Sequence, residues 1–156
     1  PAQTDITSLG TLTTLTVDNI IINGTTIGHT SDTDAISIAS SGVTTFSAAV
    51  VGATDTDTSN TGSVTLDFAA NQNFVLTFTG NVTLANPSTE AVGQSGIIVC
   101  IQDGTGSRTL SLGTDYETAG GSGITLSTAA SAVDVIPYFV KASGSIQLGA
   151  VQKAFA

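Results

Sequence analysis

Apolar side chains recur at every second position in short bursts near the start of the chain: Leu15 and Val17, Ile20 and Ile22, Ile36 and Ile38. A turn signal cuts each burst, at Asn23-Gly24, Gly28, Asp32-Thr33-Asp34 or Ser41-Gly42. Period two with β-branched residues predicts strands, and dyads this short enclose no core of their own. A monomer built this way leaves much of its apolar face wet. Residues 1–51 are therefore expected to form a β-rich shaft or attachment arm wound with identical copies. Leu15, Val17, Ile20, Ile22, Ile36 and Ile38 are the expected trimer-packing residues.

The pattern changes at Gly52–Gly62, GATDTDTSNTG, which holds no large apolar residue and reads as a linker. Residues 63–156 are denser, with expected strands at Ser63–Phe68, Asn73–Thr79, Asn81–Leu84, Gly96–Gln102, Arg108–Leu112, Ile124–Leu126, Asp134–Val140 and Ile146–Val151. Frequent turn signals between short strands predict a jelly-roll-like β-sandwich. Ile97–Ile101 is apolar on both faces and reads as a central strand. An unpartnered charge there, as in Val99→Asp, is expected to be ruinous. Any helix is limited to a turn or two, at Ser88–Val92 or Ala129–Val133. The fold class is all-β, with the shaft and sandwich joined in an intertwined trimer.

Composition sharpens this picture. Only 10% of the 156 residues are charged, against roughly 25% in a typical soluble domain. Lys and Glu, the usual protection of exposed sheet edges, are nearly absent, so the edges are expected to lie between subunits. The net charge is −9, with Arg108, Lys141 and Lys153 as the three cations. Three dispersed cations assemble no basic patch, which argues against nucleic acid or an acidic membrane as partner. Cys100 is the single cysteine, so no disulfide forms within one chain. No apolar run approaches the roughly 18 residues of a membrane span. The absence of Met, with Pro1 leading, fits a cytoplasmic product whose initiator was trimmed.

Two stretches carry a resemblance. Phe74-Val75-Leu76-Thr77-Phe78-Thr79-Gly80-Asn81-Val82-Thr83-Leu84-Ala85-Asn86-Pro87 precedes Val92-Gly93-Gln94-Ser95-Gly96 and Gln102-Asp103-Gly104-Thr105-Gly106-Ser107-Arg108. Together with the ending Ile146-Gln147-Leu148-Gly149-Ala150 and Ala154-Phe155-Ala156, this resembles a C-terminal module of tailed-bacteriophage virion proteins. Ala35–Ser47 likewise resembles the shaft repeats of phage fibres. The resemblance implies a virion structural protein, assembled in the host cytoplasm.

Candidate chemistry is sparse. Gly104-Thr105-Gly106 lacks the spacing of a phosphate-binding loop and reads as a hairpin turn. Arg108 is expected to pair with Asp103 or Asp115 in a structural role. Asp32 with Asp34, and Asp55 with Asp57, place carboxylates at i, i+2 in loops. Around a threefold axis such pairs, or three copies of His29, would gather metal ligands. Loop solubility and turn capping account for them more cheaply, so no metal, cofactor or catalytic residue is assigned. Gly-x-Ser-x-Gly is absent, and an enzyme is not expected.

The leading expectation is a homotrimeric capsid decoration, cement or head-fibre protein that stabilises the particle. The alternative is a short tail fibre or fibre tip that binds a host surface receptor. The expected partners are further copies and other virion proteins, major capsid or tail.

Overall fold

The computed structural model describes residues 15–155. They fall into two compact units that divide between Val51 and Gly52.

The N-terminal unit is an antiparallel meander of five short strands: Leu15–Val17 (β1), Ile20–Asn23 (β2), Thr26–His29 (β3), Asp32–Ile38 (β4) and Thr44–Phe46 (β5). Two-residue turns at Asp18-Asn19, Gly24-Thr25 and Thr30-Ser31 join the first four strands. Asp18 and Gly24 take φ of 54° and 58°, the left-handed backbone that tight hairpin turns need. Asp32-Thr33-Asp34, expected as a turn, lies inside β4 instead. The reversal happens one dipeptide earlier, where Ser31 N–H donates to His29 Nδ1 at 3.2 Å and closes the turn locally.

The C-terminal unit is an eight-stranded mixed sheet. Its strands are Thr54–Val64 (β6), Asn73–Leu84 (β7), Ser95–Gln102 (β8), Leu110–Leu112 (β9), Tyr116–Glu117 (β10), Val133–Ala142 (β11), Ser145–Leu148 (β12) and Gln152–Phe155 (β13). The order is β10-β12-β11-β8-β7-β6, with β13 on β11 and β9 on β7. Strand β8 is central, between β7 and β11, as its two apolar faces require. β7 runs parallel to β6, β8 and β9. Its crossovers at 65–72 and 85–94 contain no helix. They are tied together by the Gln94 side chain, which donates to the carbonyls of Phe68 and Asn71, both at 3.0 Å.

Even-numbered positions of β7, β8 and β11 make the core. Phe74, Leu76, Phe78, Ile98, Ile136 and Val140 are at most 1% exposed. Leu66 and Phe68 on the first crossover, and Leu126 beyond β10, cover this face, giving a sandwich-like arrangement. Phe68 meets Phe74 and Tyr138 at ring-centroid distances of 5.0 and 5.2 Å. Each such buried side chain contributes about 1.5–3 kcal/mol, so these rings account for much of the drive to close the crossover over the sheet.

Residues 52–62, expected as a linker, belong almost wholly to β6. The cause is the edge position. β6 pairs only with β7 and is polar along almost its whole length, with Asn60 its one buried residue. A strand with one neighbour needs no apolar alternation, and charges on an edge strand discourage further pairing. Ile124–Leu126, expected as a strand, is irregular, and Asn73–Leu84 is one strand where two were expected. Among the described residues the helical content is a single 3-10 turn at Ala119–Gly121.

Candidate functional site

In the N-terminal unit the register lines up one apolar row. Ile22 stands opposite Ile27, Ile27 opposite Ile36, and Ile36 opposite Phe46. Ile20 and Ile38 share that face by their period-two spacing from Ile22 and Ile36. Ile20, Ile22, Ile38 and Phe46 are 42–52% exposed. The structure thus brings together four of the expected trimer-packing residues: Ile20, Ile22, Ile36 and Ile38. Leu15 and Val17 pair in register with Ile22 and Ile20, but their side chains lie outside the described residues.

The metal candidates do not converge. Asp32 and Asp34 lie within β4, Asp55 and Asp57 within β6, and none sits in the loop expected of it. The Asp57 carboxylate accepts the Ser59 N–H at 3.0 Å. His29 Nδ1 lies 2.8 Å from Ser31 Oγ and is occupied in its own turn. Among the described residues no group of three or more His, Cys, Asp or Glu side chains is placed to hold a metal ion.

Arg108 pairs with Asp103, its Nη2 donating to Oδ2 at 2.7 Å. Asp103 Oδ1 accepts the N–H groups of Thr105 and Gly106. The Arg108 hydrogen bond holds the Asp103 carboxyl below its ordinary range. This closes the loop between β8 and β9 as a turn. Gln102 completes the join: its Nε2 donates to the carbonyls of Arg108 and Ser127, and its Oε1 accepts the Arg108 N–H.

A groove of about 500 Å³ opens on the outer side of β10, β12 and β11. Pro137 and the half-exposed Phe139 ring give it an apolar wall, and Glu117, Thr118 and Gln147 supply polar groups. Glu117, Gln147 and Phe139 form one register row across the three strands. Glu117 accepts the Ser145 hydroxyl at 2.7 Å and pairs with Lys141 at 3.0 Å. Those two partners hold its carboxyl below the usual range. A carboxylate so tuned accepts hydrogen bonds well but makes a poor general acid near neutral pH. The groove's chemistry is that of contact and hydrogen bonding.

Neither this groove nor the outer face around it is among the sites expected from the sequence. The signal was present in Val133-Asp134-Val135-Ile136-Pro137-Tyr138-Phe139-Val140, which, like Ile97–Ile101, is apolar at both parities.

No curated protein and no solved structure gives a significant match to the chain. Residues 60–145, more than half of its length and running from β6 to the start of β12, match the model of a family described as "Putative phage tail fibre C-terminal domain", and the chain belongs to that family.

Proposed function

We propose that the protein is a short tail fibre or fibre tip that binds a receptor on the host surface, acting as a homotrimer and by binding alone. The observation that carries this reading is the family match across residues 60–145. It favours a fibre over capsid decoration, the first expectation from composition and size. The homotrimer is supported by the apolar row Ile22, Ile27, Ile36 and Phe46, whose ends are 42% and 52% exposed and would leave water against a partner. Binding without catalysis is supported by the acid that lines the groove: the Ser145 hydroxyl and Lys141 hold the Glu117 carboxyl below its ordinary range.

The test is competition. Purified protein added before infection should block adsorption of the phage that carries it, in proportion to its occupancy of the host surface. Unimpaired adsorption, together with loss of heat resistance in particles lacking the protein, would return the assignment to decoration. Release of reducing sugar from host polysaccharide would overturn the binding-only reading.

A further inference from the structure

We propose that the outer face of the C-terminal sheet is a second self-association surface, covered in the assembled protein by another copy of this chain. The proposal rests on the homotrimer reading above and adds a face outside the N-terminal unit.

Even-numbered positions of β7, β8 and β11 face the core, so odd-numbered positions face the other way. On that side Val75, Val99 and Val135 form one register row. Thr77, Ile101, Val133 and Phe155 form the next, running onto β13. Ile97 stands opposite Pro137, with Phe139 beyond. Ile97, Phe139 and Phe155 are 40%, 47% and 48% exposed, and the valines are only partly covered. None of these rows contains a charge; Glu117 and Lys141 stand at the margin.

Two observations choose the occupant. The first is charge. A chain with net charge −9 repels its own copies wherever acids meet. Copies approach most closely where acids are fewest; the rows through Val75, Thr77 and Ile97 carry none, and Glu117 at the margin is paired with Lys141. A basic partner protein would instead be drawn to the acidic surfaces elsewhere. The second is area. Four strands at about 4.8 Å spacing and about seven residues of length give a stripe of roughly 400 Å². A stable interface takes about 800 Å² from each partner. A partner touching this stripe alone falls well short. Another copy of this chain brings the N-terminal apolar row to the same assembly and adds its area to the stripe.

The test uses the full chain. Ile97→Cys places a thiol on the outer face, while the native Cys100 is buried in the core. Thr105→Cys, on the exposed loop after β8, serves as the accessible control. In the native assembly a bulky maleimide should label the Ile97→Cys variant about tenfold or more slowly than the control, as expected of a site that opens only with the assembly. A short bismaleimide should crosslink the Ile97→Cys variant between chains. Val135→Glu, also on this face and away from the core, should lower the mass by light scattering while far-ultraviolet circular dichroism stays unchanged. A wild-type monomer would overturn both this proposal and the homotrimer reading. A wild-type trimer in which the Ile97→Cys variant labels as fast as the control, or in which Val135→Glu keeps the trimer mass, would overturn this proposal alone.

Discussion

Replacing Asp134 with Asn tests how the C-terminal unit is fastened. Asp134 is 2% exposed on the inner face of β11, opposite Cys100 on β8. Burial opposes its charge, but three donors outweigh that cost and lower its pKa overall. These are the Ser127 N–H, the Ser127 hydroxyl at 2.8 Å and the Ala154 N–H at 2.8 Å. One carboxylate thus fixes both the segment before β11 and the last strand, β13. Asn keeps one acceptor oxygen and turns an NH2 toward donors, so one to two charge-assisted bonds are lost. At about 1.5–3 kcal/mol for each bond to a charged group, the expected cost is about 2–4 kcal/mol. With a urea m-value of about 2 kcal/mol/M, the midpoint should fall by about 1–2 M at pH 7. The pH dependence has a definite sign. A carboxyl whose folded pKa lies below its unfolded value, about 3.9, stabilises fully above that value. Its contribution is lost as pH falls through the folded pKa. The gap between wild type and Asp134→Asn should therefore narrow on acidification, and the wild type should supply the change. A gap of under about 0.5 kcal/mol at pH 7, the size of a neutral surface change, would refute the fastening role. So would a gap that keeps its full size below the folded pKa.

Three further outcomes follow from the core geometry. Gln102→Leu removes a side chain that satisfies the Arg108 N–H and the Arg108 and Ser127 carbonyls. It should cost about 3 kcal/mol or more in urea unfolding, since each of the three stranded groups costs about 1–3 kcal/mol. Cys100 is 2% exposed, and burial pushes its thiol up to about 12. Ellman's reagent should leave it unmodified in the native protein and titrate one thiol per chain after denaturation. Gly96 packs against the Gln72 carbonyl and the Tyr138 ring. Gly96→Ala should lower the thermal midpoint through a backbone shift costing about 1–3 kcal/mol, while Gly104→Ala, in open space, should leave it nearly unchanged.

What the sequence disclosed depended on which residues carry alternation. Strands β7, β8 and β11 were legible because each carries a run of apolar residues at alternate positions, Phe74/Leu76/Phe78, Ile97/Val99/Ile101 and Ile136/Tyr138/Val140. β6 was not, because an edge strand of Thr, Asp, Ser and Asn looks like a polar linker. Buried Asn60 shows the compensation: its Nδ2 donates to the Asp57 and Thr77 carbonyls at 3.1 and 3.2 Å. β10 and β13 were missed because strands of two and four residues carry too little pattern. Parallel pairing was also beyond reach, since alternation gives a strand's faces and says nothing of its neighbour's direction. The dipeptide turns of the N-terminal unit shifted by one step for a related reason. At Asn23-Gly24 the glycine occupies the first turn position and Asn23 stays in the ladder.

The both-faced strand β8 carries the last prediction, because the structure changes what a charge there should do. From sequence alone Val99→Asp reads as ruinous to folding, the charge being trapped with no partner. In the folded chain Val99 points to the outer face and is only partly covered, whereas its neighbour Ile98 is 0% exposed against the core. A carboxylate at position 99 keeps its hydration in a free chain and loses it only when another copy covers that face. A carboxylate at 98 loses it on folding, and burying an unpaired charge costs several kcal/mol in any core. The two variants should therefore separate. Ile98→Asp should give no cooperative unfolding transition at all. Val99→Asp should keep the β-sheet circular dichroism and a cooperative transition while its light-scattering mass falls to that of one chain. If Val99→Asp unfolds as completely as Ile98→Asp, the outer face belongs to the fold of the single chain, and its apolar rows say nothing about assembly.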